Sequence, residues 1–139
     1  MKKNLFLVCL FMFGTLASCQ CSSKKSADNA VVNTTETPVP LGDPLILLHD
    51  GVYHAYGTHS NKGIEFYTSY DLLTWKYGGL ALNKEDSWAD RWFWAPEIYF
   101  VNGKFYMYYS ADEHICVAVA DSPTGPFVQD KKEPMIADE

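Results

Sequence analysis

Residues 46–58 read ILLHDGVYHAYGT, and residues 98–110 read IYFVNGKFYMYYS. Each is an apolar and aromatic run broken once, by Asp50-Gly51 in the first and Asn102-Gly103 in the second. Gly and Asn or Asp accept positive φ, so each stretch predicts a β-hairpin with a tight turn. A single offset of 52 aligns the two: Pro44 with Pro96, Ile46 with Ile98, Gly51 with Gly103, Tyr53 with Phe105, Tyr56 with Tyr108, and Trp75 with Phe127.

Each hairpin is followed by a third apolar run, Ile64 to Ser69 in one copy and His114 or Ile115 to Ala120 in the other. A turn then leads to a predicted fourth strand, through YDLLTW in the first copy and DSPTGPF in the second. Beyond residue 40 no helical period competes with this pattern. Four strands per unit at a period near 50 is the signature of β-propeller blades, and the fold class is all-β. Two blades do not close a ring of 4–8, and their edges would lie open. The expectation is therefore the first two blades of a larger propeller.

The sequence before residue 41 reads differently. Lys2 and Lys3 precede an apolar run from Leu5 to Phe13, as in an export signal. The run ends in Leu16-Ala17-Ser18-Cys19, which resembles the bacterial lipobox, where cleavage precedes a Cys that then carries lipid. Residue 20 is Gln and not the Asp of inner-membrane retention, so an outer-membrane anchor through Cys19 is expected. Residues 20–40 are rich in Ser, Thr, Asn and Pro, the composition of a flexible tether. The expected organisation is a signal at 1–18, a lipidated Cys and linker at 19–40, and blades at 41–139.

The formal charge is -6, and losing residues 1–18 removes two Lys and no acid, giving -8. Such a chain does not seek nucleic acid or an anionic surface through bulk charge. Neutral sugar is a compatible partner. Of the four Cys, Cys9 leaves with the signal, and Cys21 and Cys116 make neither a disulfide framework nor a metal-ligand spacing. Cys116 reads as a small buried apolar residue.

The densest aromatic stretch is RWFWAPEIYFVNGKFYMYYSA, residues 91–111. Most of its rings fit alternating sheet faces. Trp94, with Trp92 and Phe93 beside it, could instead form a binding wall, because an aromatic face suits the C–H groups of a sugar ring. In a propeller the first strand of each blade lines the central channel. Asp43 starts that strand in the first copy, where the second has Ala95. A scaffold residue should recur, and Asp43 does not. It stands open between a functional carboxylate and a simple Asp-Pro turn.

The segments GDPLILLHDGVYHAYGT, SYDLLTW, WAPEIYFVNGKFYMYYSA and VAVADSPTGPF, in this order, resemble glycoside hydrolase family 43 from Leu41 to the end of the chain. The resemblance implies a five-bladed propeller, about 260 residues of blades at this period. It implies an inverting glycosidase acting on arabinofuranosides and xylosides through a base Asp, an Asp that tunes the acid, and a general-acid Glu. Asp43 matches the base position. The tuning Asp does not map well onto IADE at the chain end, so Asp138 reads as linker and Glu139 takes no role. The general acid is expected in a later blade, which makes the isolated chain inactive.

Glu97, in the family's WAPE stretch, is expected to line or brace the pocket, or to cap backbone amides. His59 is a further candidate for ligand contact, whereas His49 and His54 read as structural. No metal site is spaced among the His. The resemblance allows a structural calcium ion in the intact propeller, with no ligand mapped here. Asp71 reads as a cap for turn amides, and Trp75 and Phe127 as packing between blades. The alternative function is a surface propeller that holds glycan and cleaves nothing, and a scaffold for protein partners is a third.

Overall fold

The computed structural model describes residues 38–136. The expected export signal, Cys19 and most of the expected tether lie outside the described residues, as do Asp138 and Glu139.

Both hairpins form where the turn dipeptides stand. Strand β1 (Gly42–His49) pairs antiparallel with β2 (Val52–Thr58), and β5 (Trp94–Val101) pairs with β6 (Lys104–Ala111). Asp50 and Gly51 have φ of 47° and 76°, and Asn102 and Gly103 have 51° and 79°. Positive φ at both central residues matches the right-handed twist of the flanking strands, which is why these dipeptides close the hairpins. The offset of 52 carries β1 onto β5 residue for residue.

The first sheet continues through β3 (Gly63–Ser69) and β4 (Lys76–Asn83), in the order β1-β2-β3-β4. The second adds β7 (His114–Ala120), in the order β5-β6-β7. The predicted fourth strand of the second unit does not form as a continuous strand. Val128 exchanges two backbone hydrogen bonds with Val119, at 2.9 and 3.0 Å, and the Met135 amide donates to the Ile115 carbonyl at 2.7 Å. Residues 129–134 leave the ladder between those two points.

The break falls at Gln129 and Pro134, and the Gln129 amide donates to the Asp86 carbonyl at 2.9 Å in place of a ladder partner. Gln129 is 3% exposed and turns inward. Its Oε1 accepts from the Trp88 amide and from the Tyr109 hydroxyl, both at 2.9 Å, and its Nε2 donates to the Glu133 carbonyl at 2.6 Å. Tyr109 has one proton, and Gln129 takes it, so Ser87 Oγ donates to Tyr109 at 2.7 Å. Pro134 has no amide to offer a ladder.

The core lies between the two sheets. Tyr56, Ile64, Phe66 and Leu82 meet Ile98, Phe105, Met107, Tyr109 and Phe127 there. Phe127 is wholly buried, and its amide donates to the Ala81 carbonyl of β4 at 2.7 Å, so it packs between the units as the repeat predicted. Its counterpart Trp75 lines a hollow with Val39, Leu41, Pro44, Ile46 and Ala55, and donates from Nε1 to the Leu72 carbonyl at 3.1 Å. Asp71 caps as expected: Oδ1 accepts from the Leu73 and Thr74 amides at 2.8 and 2.7 Å. Those bonds hold its carboxyl below the usual range. Cys116 is buried among apolar residues.

Both sheets also carry apolar residues away from this core. Ile46 and Leu48 on β1, and Tyr99 and Val101 on β5, are about half exposed. One buried face and one open apolar face per sheet is how a propeller blade meets a neighbour on each side.

Candidate active site

The site is built on two matched irregularities. In β1 the register with β2 slips between Gly42 and Leu45, so Asp43 and Pro44 together oppose Gly57. In β5 the register with β6 slips between Trp94 and Glu97, around Ala95 and Pro96. Such bulges re-aim a side chain at the end of a strand. Asp43 has φ of 44° and Ala95 of 45°. The left-handed region suits Asp better than Ala, because a short polar side chain can bond locally there.

Gly57 makes the first bulge sterically feasible. A Cβ on it would stand 2.5 Å from the Gly42 carbonyl oxygen and 2.8 Å from Leu41 Cβ. The next residue, Thr58, ends β2 and ties the two units together. Its hydroxyl donates to Asp43 Oδ2 at 3.0 Å and accepts the Ala95 amide proton at 2.9 Å. The bulge at Ala95 has freed that amide from the β5–β6 ladder. Asp43 is exposed, and among the described residues its Oδ1 has no partner.

Trp94 directly precedes Ala95 and is 38% exposed. It stacks on Trp92, with ring centroids 5.9 Å apart and planes inclined by 13°. The Arg91 guanidinium lies 4.3 Å from the centre of the Trp92 ring, and its Nε donates to Asp112 Oδ1 at 2.7 Å. Trp92 and Trp94 thus present an exposed aromatic surface. Phe93 does not share it: its side chain is 2% exposed and stacks on Tyr109 in the core. It precedes β5, after Trp92 at a φ of 57°, and turns inward between the two Trp.

Glu97 is exposed opposite Tyr108, and no hydrogen bond holds it among the described residues. His59 is drawn to β3, where its Nδ1 lies 2.6 Å from Glu65 Oε2. The Tyr77 hydroxyl donates to the other oxygen of Glu65 at 3.2 Å. The hydrogen bonds therefore join Asp43, Thr58 and Ala95, with Trp94 adjacent in the chain. Glu97 and His59 stand outside that linkage.

Among the described residues, no three His, Cys, Asp or Glu side chains gather in a way that would hold a metal ion.

Thr58 was missed by sequence reasoning, although a signal existed. The offset of 52 carries it onto Ser110, so a hydroxyl recurs at this strand end while the carboxylate does not.

Residues 35–137 match the profile of Glycosyl hydrolases family 43. The chain belongs to that family. An extracellular exo-α-(1→5)-L-arabinofuranosidase, ArbA of Cellvibrio japonicus, is 34% identical over 79 residues, 52% of this chain and 22% of that protein. A probable arabinan endo-1,5-α-L-arabinosidase B of Aspergillus oryzae is 33% identical over 127 residues, 84% of this chain and 35% of that protein. The crystal structure of an endo-1,4-β-xylanase from Bacteroides thetaiotaomicron superimposes with a TM-score of 0.69 at 43% identity. That match covers 71% of this chain and 36% of the xylanase. The family 43 chain thus spans about a third or less of these relatives. Its two antiparallel sheets correspond to part of their five-bladed propeller.

Proposed function

We propose that this family 43 protein is an inverting glycosidase acting on arabinofuranosyl or xylosyl linkages, with Asp43 as its general base. The observation that carries the reading is the Asp43 carboxylate, fixed through one oxygen by Thr58 and open at the other. Its equivalent in the next blade is Ala95, so the scaffold does not require the acid. Relatives named for arabinosyl and for xylosyl bonds share pentose substrates, which supports a pentoside.

In this reading a water rests against Asp43 Oδ1. The carboxylate takes a proton from the water as the water oxygen bonds to the anomeric carbon. The bond from that carbon to the leaving oxygen breaks, and its electron pair goes to the leaving oxygen. A second carboxyl group, which the family pattern puts in a later blade, protonates that oxygen from across a gap of roughly 6.5–9.5 Å. The Trp92–Trp94 surface would hold a sugar ring by its C–H face. Glu97 and His59 would flank the pocket, His59 in the orientation that Glu65 gives it. We further propose residues 1–18 as an export signal and Cys19 as the lipid anchor to the outer membrane. Residues 19–40 would tether the propeller that begins at 41. Loss of lipid labelling in Cys19→Ala tests that part.

The test of the catalytic reading is ¹H NMR of the first sugar released by the protein at its native length. An α-arabinofuranoside should give the β anomer first. Asp43→Asn should lower turnover by about 10²–10⁴-fold while the fold is kept. Retention of configuration overturns the inverting reading. A protein that binds arabinan without cleaving it, with an affinity that Asp43→Asn leaves unchanged, is the glycan-binding propeller instead.

A further inference from the structure

We infer that Thr58 is a positioning residue for Asp43, and that the second blade sets the direction of the base through it. The inference rests on the reading of Asp43 as the base.

Asp43 sits on an exposed bulge, where water would compete for both carboxylate oxygens and free rotation would blur their positions. The Thr58 hydroxyl has a single proton. The Ala95 amide, 2.9 Å away, occupies an acceptor site on that oxygen, which points the proton at Asp43 Oδ2, 3.0 Å off. Accepting the amide bond polarises the hydroxyl and strengthens its own donation. Thr is also stiff at χ1, so the hydroxyl does not wander at the strand end. One carboxylate oxygen is thereby tethered, and the other is left for water.

The link crosses between blades. Ala95 belongs to β5, and Thr58 and Asp43 to the first sheet. The position of the base is therefore tied to the seam between blades as well as to its own strand. Gly57 supports the arrangement, because only a residue without Cβ lets the Gly42 carbonyl and Leu41, which lead into the Asp43 bulge, lie so close to β2.

The experiment compares Thr58→Val, Thr58→Ser and Asp43→Asn in the protein at its native length, with a Thr58→Val/Asp43→Asn double variant. Val keeps the shape and removes both hydrogen bonds, whereas Ser keeps both. Thr58→Val should lower kcat about 10- to 100-fold, with KM within about twofold, since the sugar-binding surface is untouched. Thr58→Ser should restore kcat to within about threefold. In the Asp43→Asn background the Val substitution should have almost no further effect, because residues acting as one unit are non-additive. If circular dichroism shows Thr58→Val unfolded, Thr58→Cys takes its place, as a thiol is a weak donor of similar size.

Thr58→Val within about threefold of wild-type kcat overturns the inference. So does a loss that Ser does not rescue, or one that persists fully in the Asp43→Asn background, since either marks a structural role. Wild-type turnover in Asp43→Asn instead overturns the reading of Asp43, whatever Thr58 does.

Discussion

Asp43 and Ala95 occupy the same backbone position in consecutive blades. Both have φ near +45°, both precede a proline, and both sit in a slip of strand register. The carboxylate is present in one and absent in the other. The bulge is thus a property of the repeat, and the acid is an addition to it. The Thr58 hydroxyl bonds to both residues, so the contrast between scaffold and function falls along one short chain of hydrogen bonds.

Gly57→Ala should damage this site through the backbone. The new Cβ would meet the Gly42 carbonyl at 2.5 Å and Leu41 at 2.8 Å, so the start of β1 must move. Overpacking of this kind costs about 1–3 kcal/mol. A lowered urea midpoint, with a disproportionate fall in kcat relative to KM, is the expected outcome.

Stability should fall on the acid side through His54. The side chain is 5% exposed, its Nδ1 has no partner among the described residues, and its ring stacks on Tyr56. Burial lowers its pKa below 6.5, opposed by the Val52 and Leu47 backbone and aided slightly by His49. A depressed His pKa means that the unfolded chain binds the proton more readily. Folding stability therefore declines as pH drops below about 6.5 and levels off beneath the folded-state value. Urea midpoints measured from pH 7.5 to 5 should show this slope, and His54→Gln should flatten it.

Trp94→Ala should weaken sugar binding more than it slows chemistry. Trp94 offers one face to solvent, the other being stacked on Trp92. Loss of an aromatic platform costs about 1 kcal/mol or more, roughly a fivefold to tenfold rise in KM. The steady-state constants of the variant check this. An unchanged KM would remove Trp94 from the binding surface.

The turn dipeptides, the offset of 52 and the isolated Asp43 were legible in the sequence, because each depends on local chemistry or on comparison within the chain. Three features were not. The fourth strand of the second unit is interrupted because the Gln129 amide donates to the Asp86 carbonyl and its side chain bonds Trp88 and Tyr109, all distant in sequence. Phe93 lies between two exposed Trp, just before β5, and its packing on Tyr109 sends it to the core. Thr58 gains its place from an amide 37 residues away, across the seam between sheets. In each case tertiary packing chose among options that the local sequence left open.

The central claim is that Asp43 serves as the base, and Asp43→Ala tests it most directly. Ala is already accommodated at the same backbone position as Ala95, so the variant should fold, at a cost of about 1–2 kcal/mol for Ala in the left-handed region. Hydrolysis by the protein at its native length should fall by about 10²–10⁴-fold. Azide, an anionic nucleophile with no proton to lose, should restore turnover and give the glycosyl azide of inverted configuration. A folded Asp43→Ala protein that hydrolyses its substrate within about tenfold of the wild-type rate, with no response to azide, would contradict the account.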